Sequence, residues 1–399
     1  MDIEPLNKMN ILYILRHNPW GIGGGCYACR CYLDVFTTAF PDDHFDICIC
    51  KEYLPSESMN ADYPNVTFIK VGERSKFSKL LSPFTGVLHR FYKTTRLLLI
   101  HGSYDYCIFD HNSIAGTLVG LCKRLGVRTV VINHNCEAEY YQDNHDWLHR
   151  ALFLRQVRSA ERKSYLGCDY NIFLTEEDSA LFGQLYGHSE TQSIVTGCFE
   201  FKRNGNNNGN GNDNSGPNGN EKLKLVISGT IGNVQNMDGI QFFLKELLDC
   251  APKTAEVVIA GKNPPEELTR QIDEMNKSGR YATVSLIANP ANITEIVNGC
   301  DIFVCPTRLG GGLKLRVMDG LRAGLPVIAH KVSARGYSEF EKHGFLWAFD
   351  SKQEFAAALS EVIQLIRSKG MNRNDIQDFA NKQFSFEGKV EMLKDNFRD

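Results

Sequence analysis

The sequence predicts an α/β protein built from two doubly wound, Rossmann-like domains. Three observations support this. Short unbroken apolar runs alternate with helix-length amphipathic segments along all 399 residues. Unbroken apolar runs between helices mark parallel strands covered on both faces. The runs also fall into two series on either side of residues 204–220, NGNNNGNGNDNSGPNGN, which offer almost nothing to a core. Finally, the length suits two domains of ordinary size, each with its own core.

The first series of strands is ILYIL (11–15), DICIC (46–50), VTFIK (66–70), YCIF (106–109), RTVVI (128–132) and YNIFL (170–174). The second is LKLVIS (223–228), EVVIAG (256–261), VSLIA (284–288), DIFVC (301–305), PVIA (326–329) and FLWAF (345–349). The expected division is 1–200 for the first domain, 201–222 for a disordered Asn/Gly linker and 223–384 for the second domain. Residues 385–399 are expected to form a helix crossing back to the first domain.

Composition excludes several classes of function. With 43% hydrophobic residues and a net charge of −3, the chain lacks the basic excess of a nucleic-acid binder. No apolar run reaches the ~20 residues that span a bilayer. The first residues, MDIEPLNKMN, lack the layout of a signal peptide, so the expected location is the cytoplasm. Thirteen cysteines, most inside apolar segments, read there as reduced and buried. Cys26, Cys29 and Cys31 have no second pair at zinc-finger spacing and read as packing residues.

The densest signal is 305–337, CPTRLGGGLKLRVMDGLRAGLPVIAHKVSARGY. A buried strand runs into Gly310, Gly311 and Gly312, and a helix-like segment follows that stops at Gly324. Lys314 and Arg316 fall where that helix begins, against the positive end of its dipole. Cations are suited to that position if an anion sits against the free N–H groups of the helix start. At ~100° per residue, Leu313, Val317, Met318 and Leu321 form the packed face, and Gly312, Arg316, Asp319 and Ala323 lie opposite. Lys314 would point into the packed face if helical, so it is expected at or before the helix start. Arg316 and Asp319, three apart, either pair with each other or serve a ligand.

Other candidates are more ambiguous. Gly21–Gly25, GIGGG, joins the first strand to a helix, either as a ligand-contacting loop through Gly23 and Gly24 or as a tight turn. His111 and His134 follow strands directly, where open α/β sheets place ligands, and His134 leads into Asn135, Glu137 and Glu139. Thr175 reads as a helix cap. His145 and His149 would share a helix face but lack a third metal ligand. Residues 74–96 carry Arg74, Lys76, Lys79, Arg90, Lys93 and Arg96 without an acid. They read as a peripheral membrane contact or as an ordinary amphipathic surface helix. No Asp-x-Asp motif is present to hold a Mg²⁺-bridged diphosphate, so no metal site is assigned.

In the second half, GTIGNVQNMDGIQFFL, VVIAGKNPPEEL, the glycine stretch and LPVIAH resemble, in that order, family 4 glycosyltransferases of the GT-B architecture. GIGGG, INHNCEAEYY and IFLTEED extend the resemblance more loosely through the first half. Length and layout also resemble glycosyltransferases encoded by large algal viruses, which would place the protein in the host cytoplasm. The resemblance implies two domains facing across a cleft and a retaining, metal-independent transferase without a cofactor. The implied partners are a nucleotide-sugar donor and a glycan, lipid-linked or glycoprotein acceptor, with a homodimer as one open state. The expected donor is GDP-mannose, with UDP-glucose or UDP-N-acetylglucosamine as alternatives.

The family's Glu-x7-Glu pattern falls on Gly311 and Asp319, so the first acid is absent and the second is one methylene shorter. Its basic partners after the first strand of the second domain are not evident in GTIGNVQNMDG. The diphosphate is therefore left to Lys314 and Arg316. The implied donor site comprises Gly23, Gly24, Gly229, Gly261, Lys262, Gly310, Gly311, Gly312, Leu313, Lys314, Arg316 and Asp319, with Asp319 on the ribose hydroxyls. His134, Lys314 and Arg316 are the implied catalytic groups. Two rival readings are a nucleotide-sugar epimerase of the same architecture and a non-catalytic binding protein, the latter prompted by Gly311.

Overall fold

A computed structural model describes residues 8–21, 23–71, 91–202 and 222–397. The described chain forms two compact units, residues 8–202 with 385–397 and residues 222–384. The tract 204–220 lies outside the described residues, as does 74–90 of the candidate membrane segment. Among the described residues no helix is long and apolar enough to cross a membrane.

The first unit is a seven-stranded parallel sheet: β1 (Asn10–Ile14), β2 (His44–Cys50), β3 (Val66–Val71), β4 (Tyr106–Phe109), β5 (Arg128–Asn133), β6 (Tyr170–Phe173) and β7 (Gln192–Val195). The order is β3-β2-β1-β4-β5-β6-β7, and Ile11 of β1 lies between Phe45 of β2 and Tyr106 of β4. Strand β7 has no counterpart among the apolar runs. It is an edge strand whose sequence, QSIV, buries only Ile194, so it lacks the two-sided burial that makes its neighbours readable.

Five helices of this unit bear on function: α1 (Gly24–Ala39), α2 (Asn112–Ala115), α3 (Glu137–Asn144), α4 (Trp147–Gly167) and α5 (Glu176–Tyr186). Thr175 caps α5, its hydroxyl accepting the Asp178 N–H at 3.0 Å. His145 and His149 do not share a helix face, because Asp146 starts a new helix between them. Asp146 caps α4 through the His149 N–H, and His145 is left at the end of α3 in extended backbone.

The second unit has six parallel strands: β8 (Lys224–Thr230), β9 (Glu256–Lys262), β10 (Thr283–Ala288), β11 (Ile302–Cys305), β12 (Val327–His330) and β13 (Leu346–Phe349). Their order is β10-β9-β8-β11-β12-β13. Helix α6 (Val234–Phe242) follows β8, and α7 (Leu315–Arg322) follows β11 and its glycine loop. The last helix, α8 (Phe386–Phe397), belongs to the first unit, where Phe397 packs on Phe36 of α1 and Tyr170 of β6.

The strand order of each sheet reverses once, between β1 and β4 and between β8 and β11. At such a point neighbouring connections leave to opposite faces and open a crevice beyond the carboxyl ends of the strands. Both crevices are therefore fixed by strand order before any side chain is considered.

Close packing fixes the helices beside them. A Cβ on Gly116, at the end of α2, would lie 2.1 Å from the backbone oxygen of Ala160 in α4. Overpacking against backbone typically costs about 1–3 kcal/mol or more. Gly116→Ala should accordingly lower the unfolding free energy by that amount and the urea midpoint with it, whereas Gly120→Ala, which meets open space, should lower both far less. Equal midpoints for the two variants would contradict the packing.

Candidate active site

At the second unit's switch point, β8 ends in Gly229-Thr230 and β9 in Gly261-Lys262. Side chains are excluded here. A Cβ on Gly261 would lie 1.7 Å from the Gly229 oxygen, and one on Gly229 would lie 3.3 Å from Arg316 Nε. Gly229 also has φ 154°, a backbone state that other residues rarely adopt. The bare strand ends thus bring Arg316, 87 residues further along the chain, to the floor of the crevice.

Across it, β11 runs through Pro306 into the glycine loop. Gly310 and Gly312 have φ of 81° and 71°, and a Cβ on Gly310 would strike the Gln235 side chain. Gly310 is therefore required by the loop itself, whatever else its backbone contacts. Lys314 occupies the cap position before α7 with extended backbone, so its chain leaves the helical path. Its ammonium donates to the Gly310 and Gly311 carbonyls at 2.9 and 3.1 Å, and Tyr337 donates to its carbonyl.

Within α7, Val317, Met318 and Leu321 are buried, while Arg316 and Asp319 stand partly exposed and pair at 3.1 Å. Packing pushes the Asp319 carboxyl above its usual range, with Arg316 pulling against it. Gly311 and Leu313 are half-buried and Lys262 is exposed. Where basic partners were missing after β8, Asn236 donates to the Thr230 carbonyl at 2.9 Å and Gln235 covers Gly310.

At the first unit's switch point a different chemistry is assembled. Arg16 and His17 follow β1, Asp110 and His111 follow β4, and His134 and Glu137 follow β5. His134 Nε2 donates to Asp110 Oδ1 at 2.8 Å, and the Cys29 thiol donates to Asp110 Oδ2 at 2.5 Å. Asp110 is fully buried. Burial alone would raise its carboxyl, but His134 overrides this and holds it below the ordinary range.

His111 accepts the Ser113 N–H at Nδ1, and its Nε2 lies 3.1 Å from Glu137 Oε1. The Arg16 guanidinium lies against the same edge. Burial and then Arg16 push His111 down to about 4, and Glu137 is held at about 2 because His111 and Arg16 outweigh its own burial. Beside this cluster Gly23, Gly24 and Gly25 are exposed at the start of α1, with open space above Gly23. The Cys29 and Cys31 thiols are buried and pushed up by that burial. Among the described residues no three His, Cys, Asp or Glu side chains are grouped to hold a metal ion.

Residues 224–365, which span every strand of the second unit, match the family described as glycosyl transferases group 1. The second unit is a group 1 glycosyltransferase domain. The whole chain has the GT-B fold. It is similar to sucrose-phosphate synthase (tll1590) from Thermosynechococcus elongatus, at 13% identity over 98% of each chain with a TM-score of 0.68. It is also similar to Anabaena Alr3699/HepE in complex with UDP, at 14% identity over 98% of this chain and 100% of that one, TM-score 0.64. A third similar structure is the pneumococcal O-GlcNAc transferase GtfA with UDP and GlcNAc, at 14% identity over 98% and 99%, TM-score 0.58. No curated protein matches the sequence.

Within the glycosyltransferase domain the structure gathers Gly229, Gly261, the 310–313 loop, Lys314, Arg316 and Asp319 around one crevice. Gly23, Gly24 and His134 belong to the first unit. Sequence reasoning missed Asp110 and Arg16. Asp110 carried a signal, an acid directly after the apolar run YCIF, but its partner is 24 residues away.

The His111–Glu137 pair dictates a pH response. Both groups titrate lower when folded than when unfolded, so the unfolded chain binds more protons and stability is lost as pH is lowered. His111 acts as pH drops from roughly 6.5 to about 4, and Glu137 from roughly 4.3 to about 2. Urea midpoints should fall across both windows, and His111→Asn should flatten the upper one. An unchanged slope between those limits in the variant would contradict the assignment.

Proposed function

We propose that the protein is a retaining glycosyltransferase that moves a hexosyl group from a nucleoside diphosphate sugar to a glycan or glycoprotein acceptor without a metal. The observation that carries this reading is the crevice in the group 1 domain, where side-chain-free strand ends meet two cations at a helix start. A diphosphate suits it. The unsatisfied N–H groups at the start of α7 favour an anion, and Lys314 and Arg316 add the positive charge. Both cations already have internal partners, so the donor would displace weak contacts. An exposed pair such as Arg316–Asp319 is worth about 0.3–0.5 kcal/mol, against ~1.5–3 kcal/mol for a charge-assisted bond.

In turnover, the bond from the anomeric carbon to the diphosphate oxygen breaks as the acceptor hydroxyl attacks from the same face, and the hydroxyl proton passes to the departing diphosphate oxygen. Lys314 and Arg316 stabilise the negative charge that gathers on the leaving diphosphate. Asp319 accepts the ribose hydroxyls. His134, oriented by Asp110, contacts the transferred sugar. UDP-hexoses are supported as donors by the UDP named with two of the similar structures. GDP-mannose, the family expectation, is tested beside them.

The test is a calorimetric and turnover screen with UDP- and GDP-sugars. Lys314→Ala and Asp319→Ala should each weaken nucleotide binding roughly ten- to hundredfold, the loss of one such bond. Added chelator should leave turnover unchanged. Unchanged affinity in both variants would sink the site. Donor conversion without transfer or hydrolysis would mark an epimerase, and tight binding without turnover a binding protein.

A further inference from the structure

Helix α4 contains a single acid, Glu161, and nothing in the chemistry above uses it. It is fully buried and meets five donors. Its Oε1 accepts the Asn112 side-chain amide at 2.9 Å and the Glu137 backbone N–H at 2.7 Å. Its Oε2 accepts the Ala138 N–H at 3.2 Å, the Tyr186 hydroxyl at 2.6 Å and, more weakly, the thiol of Cys136 just before α3 at 3.6 Å. These donors come from α2, α3 and α5, so one carboxylate ties three helices to α4.

Two of the donors are the first N–H groups of α3, which a helix cannot satisfy by itself. The residue before α3, Cys136, provides no side-chain cap. Glu161 supplies that cap from a neighbouring helix. Fixing the N–H of Glu137 also fixes where its carboxylate stands, against His111. The segment from His134 to Glu137 is then held at both ends, by Asp110 at His134 and by Glu161 at Glu137.

We propose that Glu161 is a positioning residue for the first unit's site, holding the His134–Glu137 segment in register so that His134 and Glu137 keep their orientation. Its effect on turnover rests on the transferase reading, while its effect on geometry does not. Burial pushes its carboxyl up to about 7, with the hydrogen bonds from Tyr186 and the backbone drawing it down.

The test uses Glu161→Gln and Tyr186→Phe in the full chain. In the first, the amide keeps an acceptor for one backbone N–H and turns a donor toward the other. In the second, one anchor is lost and every charge stays. Displacing a reacting group by about 1 Å can cost up to a hundredfold. For Glu161→Gln, kcat should fall about ten- to hundredfold, with a smaller fall for Tyr186→Phe. UDP or GDP affinity, held by the second unit, should stay within about twofold, a difference of under 0.5 kcal/mol.

The ¹⁵N ring resonances of His111 and His134 should shift in both variants. Unshifted rings overturn the proposal, as does a loss of nucleotide affinity that parallels kcat, which would mean general loosening. If the unaltered protein turns over no nucleotide sugar, the transferase reading fails and the ring resonances alone decide this proposal.

Discussion

Two cations stand where a helix already carries positive partial charge, and the chemistry assigned to the second unit depends on how that placement is tolerated. Lys314 escapes the dipole by lying before α7 in extended backbone, with its ammonium on the carbonyls of Gly310 and Gly311. Arg316 is inside the first turn and is balanced by Asp319. These partners are neutral carbonyls and a partly exposed pair, each weaker than a phosphate oxygen would be. In the proposed function the diphosphate replaces these weaker partners. The glycines at 229 and 261 keep the floor bare enough for it to approach.

The first unit solves the opposite problem. Its carboxylates are buried or nearly so and each is paired with an imidazole, Asp110 with His134 and Glu137 with His111, and removing the partner of such a group costs several kcal/mol because the carboxylate is left behind. That penalty favours a single geometry, and Glu161 extends it from the switch point into α2, α3, α4 and α5. A group that contacts a reacting sugar benefits from rigidity of this kind, whereas a diphosphate site benefits from contacts that yield.

Much of this was legible in the sequence where one physical signal dominated. Apolar runs marked twelve of the thirteen described strands, including the edge strands β3 and β10, which bury little but keep the runs VTFIK and VSLIA, and only the thin edge strand β7 was missed. The unusual placing of Lys314 was legible because the period of α7 leaves no solvent-facing position for it. Side-chain partnerships across the sheet were not legible. His134 and Asp110, or Glu161 and the start of α3, meet only because β4 and β5 are neighbours and Gly116 lets α4 close on α2. The helix break between His145 and His149 was hidden as well, because Asp146 signals a cap only once the chain before it is known to have left the helix.

Comparing UDP and GDP with uridine and guanosine, by calorimetry on the full chain, tests the central claim most directly. If α7 and its glycine loop form a diphosphate site, removing the diphosphate should weaken binding by at least roughly a hundredfold, the loss of two charge-assisted bonds. The loss should shrink as salt is raised. Nucleosides that bind as tightly as their diphosphates would contradict it.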